Sequence, residues 1–181
     1  MGRLVVTEFI TLDGVIEAPE KWSFPFQNDE TAQFKYDELV ASNALVLGEV
    51  TYKIFADSWP SRTGQLADRM NSIPKYVATS LDVLEWNNSH RLEGEVAEAI
   101  AKLKQQIERD ILVAGSSVLV QTLMQHELID VYRLLVHPLV LGQGKRLFQD
   151  GSQANLELVS TKVFGTGMVL LEYIPKQIGD K

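Results

Sequence analysis

Residues 110–124 read Asp-Ile-Leu-Val-Ala-Gly-Ser-Ser-Val-Leu-Val-Gln-Thr-Leu-Met, an apolar run that halts at Gly115 and resumes with a different period. Ile111 to Ala114 is short, apolar and partly β-branched, the pattern of a buried strand. Val118, Leu119, Thr122 and Leu123 fall on the three- and four-residue steps of one helical face. The stretch therefore predicts a strand that turns at once into a helix, with Ser116 or Ser117 as N-cap. Glycine allows a sharp turn and a close approach of a ligand to the main chain. The unpaired N–H groups of the following helical turn, reinforced by the helix dipole, favour an anion such as phosphate. The same residues also suit a plain capped turn, so the motif carries weight only where it recurs.

It recurs twice. Ala44-Leu45-Val46-Leu47 is a second buried-strand pattern, followed by Gly48-Glu49-Val50-Thr51-Tyr52 and a helix expected to reach about Asp57, where Trp59-Pro60 closes it. Lys75 to Ser80 reads as a third strand, ending in the hydroxyls of Thr79 and Ser80. Residues 3–11, rich in β-branched side chains, predict the first and central strand. A helix capped by Asp29, carrying Phe34, Leu39 and Val40, is expected to end near Ala41-Ser42-Asn43. Residues 61–72 suit a loop and short helix, and 81–92 an irregular stretch with a short strand near His90. Glu95 to Ile107 is the cleanest amphipathic helix, with Val96, Ile100, Leu103 and Ile107 on one face. A strand at Val131 to Val136 and a glycine loop at 141–144 follow. Two last strands, near 156–164 and 168–174, are joined by the hairpin signal Gly165-Thr166-Gly167.

Strands alternate with helices up to about residue 130 and stand alone after it. This pattern implies an α/β fold with an open sheet, parallel at first and finished by an antiparallel hairpin. Ligands of such sheets bind at the carboxyl ends of the strands, so the junctions after Leu47, Val77 and Val113 are expected on one rim. Two helix starts and a hydroxyl-bearing strand end on that rim suit an extended ligand with two phosphates and a ribose.

Composition bounds the alternatives. The chain has 181 residues, enough for one sizeable core, and one domain over 1–181 is expected. With 45% apolar and 23% charged residues it has the makeup of a soluble globular protein. A formal charge of −7 disfavours nucleic acid and anionic membranes as partners. The absence of cysteine removes disulfides, thiolate metal sites and a cysteine nucleophile. The first residues show no continuous apolar signal region and no stretch approaches a membrane span, so the expected compartment is the cytoplasm.

The remaining motifs are mostly negative. The fingerprint Gly-x-Gly-x-x-Gly and the phosphate loop ending in Gly-Lys-Ser/Thr are absent. His90, His126 and His137 have no partner at a three- or four-residue step, so no metal is expected. Without a Gly-x-Ser-x-Gly elbow, Ser116 and Ser117 read as caps, not nucleophiles. Asp13, Glu30 and Asp37 are the acids available to a cleft. Glu30, in the first turn of the first helix, reads either as a catalytic proton donor or as an acid complementing the helix dipole. Residues 19–28 carry Trp22, Phe24, Pro25 and Phe26, too aromatic for a solvated loop. A flat substrate would pass between them, the first strand and the first helix, although the same rings suit a lid on the core.

In this order the motifs resemble the dihydrofolate-reductase-like family. They are Leu12-Asp13-Gly14-Val15-Ile16, Leu-Val-Leu-Gly-Glu-Val-Thr-Tyr at 45–52, Ile-Pro-Lys-Tyr-Val-Ala-Thr-Ser at 73–80, Ile-Leu-Val-Ala-Gly-Ser-Ser-Val-Leu at 111–119, and Pro-Leu-Val-Leu-Gly-Gln-Gly-Lys-Arg-Leu-Phe at 138–148. Within that family the chain is most similar to the reductase domain of the riboflavin-biosynthesis deaminase-reductase and its stand-alone bacterial relatives. The resemblance implies three layers, with a mixed, mostly parallel sheet of about eight strands between helices, and a homodimer. It implies NADPH as cofactor, met by Gly48, Thr51 and Tyr52 at one helix start, by Thr79, Ser80 and Leu81 at the adenosine end, and by Gly115, Ser116, Ser117 and Val118 at the pyrophosphate. Ile16 would lie near the nicotinamide, and Glu30 and Phe34 where the family's folate enzymes hold their pterin. The implied activity is an NAD(P)H-dependent reductase acting on a small heterocyclic or carbonyl substrate. The alternative is a non-catalytic nucleotide- or metabolite-binding module. One departure bears on the cofactor: the family often has arginine where this chain has Glu49, and a carboxylate repels a 2′-phosphate, which leaves NADH open. Lys75 and Arg62 are the cations that could compensate.

Overall fold

The computed structural model describes residues 1–176. Eight strands form one sheet in the order β4-β3-β2-β5-β1-β6-β8-β7. They are β1 (Leu4–Thr11), β2 (Ser42–Gly48), β3 (Lys75–Ala78), β4 (Ser89–Arg91), β5 (Asp110–Val113), β6 (Val131–His137), β7 (Leu156–Val163) and β8 (Val169–Pro175). The first six run parallel, β8 is antiparallel to β6, and β7 pairs antiparallel with β8. The helices are α1 (Asp29–Ala41), α2 (Glu49–Ser58), α3 (Gln65–Ser72), α4 (Val96–Gln106) and α5 (Ser117–Gln125). The expected mixed sheet with its terminal hairpin is thus present.

Alternation along the strands divides the core. Val5, Leu45, Leu47, Val77 and Leu112 face Leu39 of α1, Tyr52 of α2 and Met70 of α3. Leu4, Val6, Val46, Ile111 and Val113 face Ile100 and Leu103 of α4 and Leu119, Val120 and Leu123 of α5. Burial of both faces explains why β2 and β5 read as unbroken apolar runs. A third cluster, under the hairpin, joins Leu135, Phe164, Met168 and Leu170 with Phe9, Phe26 and Phe34.

Several boundaries depart from expectation. The cap of α1 is Asn28, not Asp29. Its side chain accepts from the Thr31 N–H while the Asn28 N–H donates to Thr31 Oγ1, a reciprocal pair that Asp29 would have needed residue 32 to provide. The second strand begins at Ser42, because Ser42 pairs with Asp110 of β5 before a bulge at Asn43. The third strand stops at Ala78, leaving Thr79 and Ser80 beyond the ladder. Among the described residues no helix is long and apolar enough to cross a membrane. Nor do those residues include a group of three or more His, Asp or Glu placed to hold a metal ion.

Candidate functional site

The chain leaves β2 toward the α1–α3 face and leaves β5 toward the α4–α5 face. Adjacent parallel strands whose connections diverge in this way open a crevice at their carboxyl ends, where α/β sheets bind ligands. Val46 pairs with Val113, and Val113 with Val6, so the three strands run in step toward one rim. β5 stops there, while β1 continues to Thr11 and β2 to Gly48. The segment Ala114-Gly115 turns inside the resulting notch.

Two helix starts converge over it. The Gly48 N–H donates to the Gly115 carbonyl at 3.0 Å. Neither the N-cap of α2, Gly48, nor that of α5, Ser116, makes a side-chain cap hydrogen bond. The first-turn amides of Glu49, Val50 and Thr51 and of Ser117, Val118 and Leu119 are therefore left without side-chain caps, and both dipoles point to the same place. Glycine is required for this approach. A Cβ on Gly48 would lie 2.5 Å from Ser116 Oγ, and one on Gly115, whose φ is +88°, would lie 2.8 Å from Thr51 Oγ1. The cradle is built from main chain, which suits a diphosphate; among its lining groups Thr51, Ser116 and Ser117 add hydroxyls.

Glu49 lies at the start of α2, between Thr79 and Lys53. Its Oε2 accepts from Thr79 Oγ1 at 2.6 Å and its Oε1 from Lys53 Nζ at 2.6 Å. The Lys53 bond first, then that from Thr79, hold this carboxyl down at about 2, so it stays anionic. Beside it a shallow cleft of about 370 Å³ lies between Lys53 and Asp57 of α2 and Leu81, Val83 and Glu85 after β3. Tyr52 turns into the core beneath, its hydroxyl accepting from the Trp86 N–H at 3.0 Å. Val118 points its side chain to solvent, leaving its backbone N–H as the group available at the cradle. The cations considered for a phosphate are otherwise engaged. Lys75 is fully buried, its Nζ donating to the carbonyls of Asn71, Ile73 and Asn87, and Arg62 stacks on Trp59. The expectation for Lys75 is corrected: an ammonium with three carbonyl partners and no exposure cannot reach the rim.

The aromatic segment folds over the end of β6. Trp22 is buried, its Nε1 donating to the Glu17 carbonyl, and with Phe9 and Phe26 it encloses the imidazole of His137 at centroid distances of 5.0 to 5.6 Å. His137 Nδ1 lies 2.8 Å from the Leu135 carbonyl, and Nε2 has no partner. Burial lowers its pKa, so the ring is neutral. Phe34 stacks edge-on against Phe164 next to this group. Ile16 is buried, and its N–H donates to the Lys145 carbonyl.

The three acids singled out from sequence are all in use. Asp13 accepts from Thr11 Oγ1 and from the Leu141 and Gly142 amides, so it latches residues 12–16 to the glycine loop, and the Thr11 bond above all keeps it near 2. Asp37 is exposed and accepts from Gln33. Glu30 is exposed on α1, accepts from the Gly165 N–H at 3.2 Å and pairs with Lys162 at 3.5 Å. Sequence reasoning missed Glu8. On β1 it shares the inward face with Val6 and Ile10, is 8% exposed, and its Oε1 completes no hydrogen bond although the Gly115 amide lies near enough to favour its anion slightly. Burial outweighs that amide and the field of Lys35 and pushes Glu8 up to about 8. The available signal was an acid inside the alternating apolar stripe Leu4, Val6, Glu8, Ile10.

The fold and sequence resemble those of known proteins. The family model described as the RibD C-terminal domain matches residues 3–170. The uncharacterized protein YyaP of Bacillus subtilis (strain 168) is 29% identical over 180 residues, covering 94% of each chain. A putative riboflavin biosynthesis protein from Shewanella sp. PV-4 superposes with a TM-score of 0.78 at 20% identity, over 97% of this chain and 99% of that one. The dihydrofolate reductase of Enterococcus faecalis, solved with NADP(H), gives a TM-score of 0.67 at 20% identity over 97% of both chains. The fold is therefore that of the dihydrofolate reductases. Since the family match runs from the first strand into the last, through both glycine junctions, the chain belongs to the RibD C-terminal domain family.

Proposed function

We propose that the protein is a reductase that binds a reduced nicotinamide dinucleotide across the strand ends and reduces a small heterocyclic, pyrimidine- or pterin-like, or carbonyl substrate. The observation that carries this reading is the pair of helix starts without side-chain caps, joined at 3.0 Å through Gly48 and Gly115. Family membership supports a reductase-type activity, and the fold neighbour from E. faecalis was solved with NADP(H). The residues fit such a group, since main-chain amides meet the diphosphate at a cradle that a Cβ would fill.

When bound, the dinucleotide supplies the hydride. The chain's own part is to orient two rings and keep water away. Gly48, Thr51, Gly115, Ser116, Ser117 and the Val118 amide hold the diphosphate, while Thr79, Ser80 and Leu81 border the adenosine. Phe26 and Phe34 are the half-buried rings available to a flat substrate, with Trp22 backing them through His137. Glu30 lies on the rim of this aromatic group as the candidate proton donor on the substrate side.

A second reading, a nucleotide- or metabolite-binding module without chemistry, is favoured by one observation: Asp13, Glu30 and Asp37 are each bonded within the protein. Titration with NADH and NADPH, followed by nicotinamide fluorescence, tests the shared premise. Saturable binding that Gly115→Val abolishes, in a variant that still melts cooperatively, is the expected result. Wild type that binds neither nucleotide overturns both the cofactor and the site. Turnover with a panel of pyrimidine, pterin and carbonyl acceptors then separates enzyme from module.

We further propose that the chain works as a homodimer. The edge strand β7 leaves Leu158, Val159 and Val163 half or more exposed beside unpaired backbone, a surface suited to a second copy. Light scattering that returns the mass of a monomer at micromolar concentration rejects this.

A further inference from the structure

The buried carboxyl of Glu8 has no role in holding the fold that the structure reveals, and it sits where the ligand must pass. β1 carries it two residues past the end of β5, into the notch that Ala114-Gly115 crosses. A Cβ built on Gly115 would lie 3.7 Å from Glu8 Oε1 and 2.8 Å from Thr51 Oγ1, so carboxyl, glycine and hydroxyl share one small volume under the two helix starts. An unpaired buried oxygen is costly, and a native core normally avoids one. Here it is aimed at the spot where the structure offers an anion site.

The two features conflict unless the carboxyl is uncharged. A carboxylate beside a diphosphate would cancel the attraction of the helix starts, whereas a carboxylic acid has an O–H to donate. We propose that Glu8 enters the complex as a neutral acid that donates a hydrogen bond to the dinucleotide where it crosses Gly115, so that the site takes up its ligand together with a proton. This rests on the dinucleotide reading of the same junction.

The surroundings agree. The charge that Glu8 feels is that of Lys35 from α1. The first turn of α5 contains no acid, and β6 places Leu134 opposite Glu8. α2 presents Thr51, with Glu49 turned toward Thr79 and Lys53. On the loop after β1, Asp13 is tied to Leu141 and Gly142, and Glu17 accepts from the Lys145 amide. Among the described residues, then, no acid other than Glu8 borders Gly115. Burial already keeps its carboxyl protonated up to about pH 8 in the free protein.

The sign follows. Below pH 8 the acid is in place and binding has its full strength. Above it, each further pH unit requires protonation of an ionised Glu8, and affinity falls toward tenfold per unit. Kd for NADH or NADPH is expected to weaken by about thirtyfold between pH 7 and pH 9.5, given a free value of about 8. Calorimetric titration of the full chain at pH 9.5, in two buffers of different ionisation enthalpy, is expected to show close to one proton taken up per nucleotide. Glu8→Gln keeps a donor of the same shape without the charge, and is expected to bind with a pH-independent Kd and no proton uptake. Glu8→Leu removes the donor and is expected to weaken binding at pH 7 as well. A wild-type affinity that is flat from pH 7 to 9.5 overturns the proposal while leaving the dinucleotide reading intact, as does a Glu8→Gln variant that keeps the wild-type slope. Absence of saturable binding at every pH overturns the dinucleotide reading instead.

Discussion

Glu49 and Glu8 are two carboxyls within one junction, and their surroundings drive them in opposite directions. Glu49 sits at the start of α2, where the helix dipole, Lys53 and the Thr79 hydroxyl favour the anion. An anion there can accept from a ribose 2′-hydroxyl, as acids do in other dinucleotide sites, and repels a 2′-phosphate. NADH is accordingly expected to bind at least as tightly as NADPH. Glu49→Arg is expected to strengthen NADPH binding about tenfold or more, the scale of a charge-assisted contact of roughly 1.5–3 kcal/mol, and to leave NADH less affected. Equal effects on both nucleotides, read by fluorescence titration, would place the adenosine elsewhere. At this scale the sequence is least legible. Glu49 announced itself by following a strand and a glycine, but the importance of Glu8 depends on β5 ending two residues short of it, which no pattern within residues 3–11 encodes.

The elements were more readable, and the reason is periodicity. α4 and α5 carry apolar residues at three- and four-residue steps because each buries one face, and the junctions at Gly48 and Gly115 stand out because an apolar run stops at a glycine. That all three junctions share a rim followed from parallel strands alone. Less legible were effects created by contact across the sheet. Lys75 opens β3 yet lies inside the protein, because the end of α3 and the turn at Asn87 aim three carbonyls at its ammonium and Trp86 offers its ring at 4.3 Å. Desolvation lowers that ammonium to about 8, a cost that the carbonyls offset. A lysine at the start of a strand reads as solvated. Only the convergence of α3, β3 and the 86–88 turn makes it a pin. The aromatic segment at 19–28 shows the same limit: its richness in rings indicated a packing role, while its partner, His137, lies more than a hundred residues away.

Across the whole molecule, a chain of paired charges centred on Arg133 and the buried Glu38 holds the parallel part of the sheet to the hairpin and to α1. Arg133, in the middle of β6, donates from Nε to Glu172 of β8 at 2.6 Å and reaches Glu38 of α1 at 3.4 Å and Asp110 of β5 at 3.5 Å. Lys35 and the Thr7 hydroxyl complete the shell of Glu38, and Arg3 that of Asp110, so three cations balance three carboxylates. This network fixes β6 beside β1, and so sets where His137 and Glu8 stand relative to Gly115. The favourable field of these carboxylates raises the pKa of Arg133 despite burial, so its charge persists throughout the working pH range. Removing that charge leaves Glu38, itself 1% exposed, with a single cation. Arg133→Met is expected to cost roughly 3–5 kcal/mol, because it takes the Arg133 partner from Glu172 and leaves Glu38 and Asp110 with one cation each, seen as a lower urea midpoint with an unchanged slope. Pairing it with Glu38→Gln is expected to recover part of the loss, because the buried carboxylate that has lost one of its two cations is then neutral; additive losses in the double mutant would show that the two side chains do not interact. Nicotinamide binding at a fixed folded fraction adds the link to the site: if β6 registers β1 through this network, Arg133→Met weakens the nucleotide affinity although Arg133 touches no residue of the cradle.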